Sequence, residues 1–261
     1  MASPLPPSLR KTLDYFAKYN YPLTADELWF WQHGTRISKF KIRNLNSNFK
    51  SQISNWQLRR QREKFSQVKW KIAKKVGESL RIFPTIAAVY VTGALAMNNC
   101  PKDDDIDIMI ITSPNTLWVT RFFVNLFLWR YRRLPGQTSA PNKICPNLWL
   151  DTRNLKLEIR NLRVAHEILQ AKVLWDRASV HQQFLHSNSW VSRYLPVAYR
   201  ESTKNFKFKI LSLNSNFKFQ ISNLLNIIFF TLQYLYMKPK MTSERVGLGF
   251  AFFHPRGKIR S

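Results

Sequence analysis

At 261 residues the chain is long enough for one large domain or two small ones with a substantial core, and its 45% hydrophobic content excludes a wholly disordered polymer. Its 41 Lys and Arg against 15 Asp and Glu give a formal charge of +26, which implies an anionic partner (nucleic acid, nucleotide or anionic membrane) or else a strongly solvated basic surface. The two cysteines, Cys100 and Cys145, lie outside any CxxC or Cys/His spacing and so point to neither a disulfide framework nor a zinc site.

The N-terminal MASPLPPSLRK lacks the apolar stretch of a secretory signal, so the expected location is cytoplasmic. Leu13, Phe16 and Ala17 have helical spacing, and Pro22 stops that helix. Thr24 and Glu27 then make a capping box for a second helix with Leu28, Trp29 and Trp31 on its apolar side. Residues 1–56 are expected to form an N-terminal helical module. It reads either as part of a helix-turn-helix, a truncated winged-helix-like unit, or as a helical hairpin packed on the main domain.

LNSNFKSQISN, from Leu45 to Asn55, recurs as LNSNFKFQISN from Leu213 to Asn223 with a single difference. Two distant copies are not a repeat array, and a sequence element inserted twice explains them better. With their Phe/Lys-rich leads the insertions cover 40–55 and 204–223, expected as exposed loops that carry no function. The alternation in FKFKI also has the pattern of a strand.

From Trp56 the chain turns basic. Arg59, Arg60, Arg62, Lys64, Lys69, Lys71, Lys74 and Lys75 interleave with Leu58, Phe65, Val68, Ile72 and Val76, which predicts an amphipathic helix with a positive outer face. That face suits a phosphate backbone or nucleotide as well as it suits water.

TIAAVYVTG, Thr85 to Gly93, reads as a buried strand entering a tight turn. ALAMNN then starts a short helix whose orphan amides and dipole make the turn an anion site. DIDIMIIT is a second strand, with Asp105 and Asp107 on one face and Ile106, Ile108 and Ile110 on the other. Met109 and Ile111 make it apolar on both faces beyond the acids. Two carboxylates so placed repel each other, and a divalent cation relieves the repulsion. Mg²⁺ (or Mn²⁺) is the natural choice, held by carboxylates together with substrate phosphates.

A helix is expected across NTLWVTRFFVNLFLWRYRR, followed by a strand in KICPNLWLD. His166 and Glu167 are tempting as an acid–base pair, but adjacent helical residues point about 100° apart. His181, His186 and His254 have no metal spacing and read as surface or packing residues. LLNIIFFTLQYLYM, Leu224 to Met237, is short of the roughly 18–20 residues of a spanning helix, so no membrane span is expected. It reads as a buried or amphipathic helix, with membrane-surface contact the less favoured reading.

The strand–Gly93 turn followed twelve residues later by Asp105-x-Asp107 resembles the DNA polymerase β-type nucleotidyltransferase superfamily. TLDYFAKYNYPLTADELWFW, NLRVAHEILQAKVLW, SNSWVSRYLP and ERVGLGFAFFHP also look like one group of bacterial nucleotidyltransferase-like proteins. The resemblance implies an α+β fold: a small mixed sheet with flanking helices in a core over 57–153, and a C-terminal helical region over 154–261. It implies metal-dependent transfer of a nucleoside monophosphate from a nucleoside triphosphate to an acceptor hydroxyl, on nucleic acid or a protein. Asp105 and Asp107 would be the catalytic metal ligands, and Thr92, Gly93, Ala94 and Leu95 would bind the nucleotide. Three departures stand out. The first repeat copy lies where related proteins continue the N-terminal module, which would then be truncated, and the other two touch the site. Ala94 replaces the superfamily's serine. The third carboxylate would fall to Asn147 or Asp151, with Glu158 and Glu167 as fallbacks. These departures fit a second reading, a catalytically degenerate member acting as a nucleotide- or nucleic-acid-binding regulator of antitoxin type.

Overall fold

The computed structural model describes residues 5–44, 55–134, 137, 139–177, 179–206, 223–242 and 244–253. Both repeat copies fall almost wholly outside these residues, as does the FKFKI stretch beyond Phe206, and His254 with them. The lead to the first copy is not a loop: Lys39–Asn44 is a short helix with Ile42 buried.

The β-branched runs seen in the sequence build the centre of the sheet. Strand β1 (Ile86–Val91) is buried at every position, and β2 (Ile106–Thr112) at all but Asp107. They pair antiparallel, Val91 opposite Ile108. β3 (Ile144–Asp151) runs parallel to β2, after a crossover through the Leu117–Phe127 helix. The edges come from the chain beyond residue 154: β4 (Lys172–Asp176) beside β1, and β5 (Arg245–Gly247) with β6 (Phe250–Phe252) beside β3. The sheet is therefore mixed and six-stranded, in the order β4-β1-β2-β3-β6-β5, with ten α-helices among the described residues: an α+β architecture. The region expected to be helical after 154 thus also supplies three strands. At three to five residues each, they are too short to show an alternation.

Helices cover both faces. Ala88, Tyr90, Met109, Ile111 and Leu150 face one layer, built from the N-terminal helices Pro7–Ala17 and Ala25–Trp31 and from Leu162–Gln170, Val180–Ser187 and Pro196–Thr203. Val89, Val91, Ile106, Ile108, Ile110 and Trp149 face the other, built from Trp56–Ser79, Leu117–Phe127 and Asn223–Met237. Alternation along β2 sends its isoleucines at 106, 108 and 110 to the second layer and leaves Asp105 and Asp107 on the first.

The Thr24–Glu27 capping box forms as expected, with Glu27 N donating to Thr24 Oγ1 at 3.2 Å and Thr24 N donating to Glu27 Oε2 at 2.8 Å. The basic helix turns out differently. Its buried face is Arg59, Ser66, Lys69, Ala73 and Gly77, while Val68 lies exposed. The reason is steric. Ser66, Ala73 and Gly77 allow close approach, with Gly77 against the Leu174 side chain, and the two cations in the stripe find oxygen partners there. Arg59 and Lys69 therefore do not belong to the outer basic face.

Candidate functional site

The β1–β2 connection folds around Gly93. Its φ of +62° lies in the left-handed region, and a Cβ there would collide with Asp107 Oδ2. Glycine at this position lets the carboxylate of Asp107 lie against the turn. Thr92 is extended and donates its amide to Asp107 O at 3.0 Å, which locks the turn to β2. Thr92 Oγ1 is buried and has no hydrogen-bond partner among the described residues. The helix that follows, Gly93–Ala96, is a single turn containing Ala94 and the buried Leu95, without a side-chain cap. It offers orphan amides, but a single turn carries little of the macrodipole expected there.

Asp105 and Asp107 come together as their spacing implies. With Cys145 they form a group whose ligand atoms all lie within 4.8 Å of one another. Cys145 arrives through register, because the parallel pairing places it opposite Asp107. Pro146, opposite Ile108, has no amide to give the ladder, and the register shifts at that point so that Asn147 is an extra residue. The bulge aims Asn147 at the site, where its Nδ2 donates to Asp107 Oδ1. Asp105 is buried, and its Oδ2 accepts from Arg133 Nη1 at 2.8 Å.

Asp151 goes elsewhere. It pairs with Thr112 at the far end of β3, about 16 Å along the strand from the level of Asp107. Its buried carboxylate accepts from Arg153 N (2.8 Å) and Asn154 Nδ2 (2.9 Å), which makes it a loop-organising residue. Of the two candidates for a third ligand, only Asn147 reaches the site. Glu158 pairs with Arg245, and Glu167 with Arg163, both on exposed surface. His166 turns away from Glu167 into the core, its Nε2 3.0 Å from His33 Nε2 and its ring stacked on Tyr15. Burial first, then the neighbouring ring of His33, pulls the pKa of His166 down to about 2, so it remains neutral and is a packing residue.

The electrostatics follow from crowding. Burial, then the charges of Asp105 and Asp104, hold the Asp107 carboxyl well above the ordinary carboxylate range, against the pull of Asn147 and Arg133. Asp104 is raised by burial and then by Asp105. Burial, then Asp107 and Asp105, push the Cys145 thiol upward, so it stays protonated and is a poor donor to a hard cation. Two carboxylates remain, a donor set suited to Mg²⁺ or Mn²⁺ that completes its shell with water and phosphate oxygens. Arg133 competes for Asp105.

A carboxyl with a raised folded pKa binds its proton more tightly in the folded chain, so the fold loses stability as pH rises from the ordinary carboxylate range through the raised value. Asp107→Asn removes that loss and keeps an acceptor for Asn147. The variant is expected to be about 1 kcal/mol more stable at pH 7, a melting point roughly 2–4 °C higher, with the advantage gone near pH 4. Melting curves across that range check the sign. A variant that melts lower at pH 7 rules out the crowding argument.

Sequence reasoning placed Lys69 on the outer basic face, gave Cys145 no ligand role and passed over Arg133. Lys69 lies in the small-residue stripe Ser66–Ala73–Gly77, and Cys145 shares a strand face with Asn147, so each had a faint signal. Arg133, at the end of RYRR, had none. Compared with protein-family models, curated proteins and solved structures, the chain matches none.

Proposed function

We propose that the chain is a metal-dependent nucleotidyltransferase that moves a nucleoside monophosphate from a nucleoside triphosphate to an acceptor hydroxyl on nucleic acid or a protein. The observation that carries this reading is the convergence of Asp105 and Asp107, crowded enough to hold the Asp107 carboxyl well above the ordinary carboxylate range, directly against the Gly93 turn. Asp105 and Asp107 would hold Mg²⁺ or Mn²⁺, which neutralises phosphate charge when bound. The chain's own residues supply the rest. Gly93 keeps the floor of the turn open. The amides of Ala94 and Leu95 and the Thr92 hydroxyl are donors for phosphate oxygens. Arg133, once released from Asp105, can offset charge on the departing pyrophosphate.

The test is calorimetric titration of nucleoside triphosphate with and without Mg²⁺, on the wild type and on Asp105→Asn/Asp107→Asn, with melting curves to confirm that both are folded. Metal-dependent binding, at least about tenfold weaker in the variant, is expected. Equal binding by the two proteins sinks the reading.

The Arg133–Asp105 ion pair, Ala94 and the neutral Asn147 favour a second reading, a degenerate member that binds nucleotide or nucleic acid as a regulator. Under it, nucleic acid binding would survive removal of metal and weaken steeply with salt.

A further inference from the structure

The Asn223–Met237 helix buries a mixed seam and leaves most of its aliphatic residues outside. It meets the Leu117–Phe127 helix through Asn226, Phe229, Phe230, Gln233 and Met237, and the specific bonds in that seam are polar. Trp118 N donates to Asn226 Oδ1 at 2.9 Å, and Gln233 Nε2 donates to Trp118 O at 2.8 Å. The large aliphatic residues point outward instead: Leu224 is 64% exposed, Leu232 61% and Leu235 61%. The neighbouring helix and its tail extend the same surface with Leu126 at 61% and Trp129 at 60%, and the Phe122 and Phe229 rings join the two helices at 5.2 Å. A helix apolar all round is ordinarily buried on all sides, and an exposed apolar face of this extent marks an interaction site.

Charge selects the partner. Residues 117–134 and 223–240 contain no Asp or Glu; Arg121 is held in the seam by Gln233 and Arg133 by Asp105, which leaves Arg130, Arg132, Lys238 and Lys240 as the cations of this surface. The rim is aromatic as well as cationic: Lys240 lies 4.0 Å over the Tyr236 ring, and Arg132 5.5 Å over Trp129. Like charge disfavours two occupants. The stretches 207–222 and 254–261 of this chain contain Lys and Arg but no acid, and a second copy would bring the same positive face. An apolar face rimmed by Trp, Tyr, Lys and Arg matches the boundary of a bilayer, where rings sit at headgroup depth and basic side chains reach anionic headgroups. The helix has 15 residues, and no helix among the described residues is long and apolar enough to cross a membrane.

We propose that this two-helix face docks the protein on the surface of an anionic lipid bilayer, with Leu232, Leu235 and Trp129 entering the headgroup–acyl boundary. The reading is independent of the chemistry at Asp105 and Asp107. Flotation of the full chain with vesicles tests it, using phosphatidylglycerol mixed with phosphatidylcholine against phosphatidylcholine alone, at about 0.1 M salt. Partitioning at least about tenfold stronger to the anionic vesicles is expected, falling about tenfold in Leu232→Ser/Leu235→Ser with no loss of melting temperature. Lipids brominated on the acyl chain should quench wild-type tryptophan fluorescence, and Trp129→Phe should remove most of that quenching. No flotation overturns the proposal. So does flotation that the double variant retains, which would be diffuse charge attraction, or flotation without quenching. Self-association abolished by the same variant, with no lipid binding, would assign the face to a second copy and overturn it too.

Discussion

Lys69→Met is expected to destabilise the protein by about 3 kcal/mol, lowering its melting point by roughly 10 °C. Lys69 is 1% exposed, and its ammonium donates to Asp104 O at 2.6 Å, Lys102 O at 3.2 Å and Asn142 Oδ1 at 3.3 Å. It ties the acidic loop to the long helix and to the turn before β3. Methionine keeps most of the stem volume, so the loss is polar rather than a cavity. Carbonyls left without a donor in a buried setting cost about 1–3 kcal/mol each, partly recovered where water can enter. The loop also loses a positive charge that draws the Asp104 carboxyl down, so that carboxyl should rise further. Urea denaturation measures the first effect. Amide exchange measures the second consequence, faster opening at Asp105 and Ile106, whose amides bond Asp104 Oδ1 and Lys143 O. A variant within about 1 kcal/mol of wild type would mean that the ammonium is replaced by solvent at little cost.

Arg59→Met is expected to cost a similar amount, about 3 kcal/mol at pH 7, and to loosen the N-terminal helices. The Arg59 guanidinium grips Glu27 with two bonds of 2.7 Å, bonds Glu63 at 3.0 Å and lies 4.3 Å over the Tyr21 ring, whose hydroxyl also donates to Glu27 at 2.7 Å. Burial pushes the Glu27 carboxyl upward, but Arg59, the Thr24 amide and the Tyr21 hydroxyl together hold it below its ordinary value. A depressed folded pKa contributes stability that is present above the unfolded value and lost as pH falls through the folded one. Without Arg59 the carboxylate keeps its burial and loses its cation. The deficit should therefore be full at pH 7 and shrink as pH falls below about 4 toward the depressed value of the wild-type carboxyl, where Glu27 takes up its proton in the wild type as well. Urea denaturation at pH 7 and pH 3 separates the possibilities. A deficit independent of pH would assign the loss to packing on Tyr21 and on Trp56, whose ring lies 5.3 Å from the guanidinium, rather than to charge.

The local parts of this protein were written in periods and punctuation. Alternation in DIDIMIIT put Asp105 and Asp107 on one face and Ile106, Ile108 and Ile110 on the other, and the structure keeps those three isoleucines in one layer. Thr24 and Glu27 announced their own cap, because a capping box needs only residues three apart. Gly93 marked the turn before any contact was known. Each depends on backbone geometry over a few residues, which the chain carries with it.

What the sequence could not reveal were the partners brought from a distance. Cys145 faces Asp107 because β2 and β3 are parallel and in a particular register, and the same register carries Asp151 to the wrong end of the strand for a third ligand. Arg133 meets Asp105, and Lys69 the acidic loop, only after the crossover helix and the long helix are laid on the sheet. The Asn223–Met237 helix has an apolar pattern compatible with burial, yet it contacts the fold along one seam, where Asn226 and Gln233 make its hydrogen bonds beside Phe229, Phe230 and Met237, and leaves its large aliphatic residues exposed. The sequence by itself determined which faces the side chains take and where the chain turns. Tertiary structure decided which charges meet and which apolar face stays open, because pairing register and helix docking are set by the sum of packing over the whole core, and no short window of sequence contains that sum.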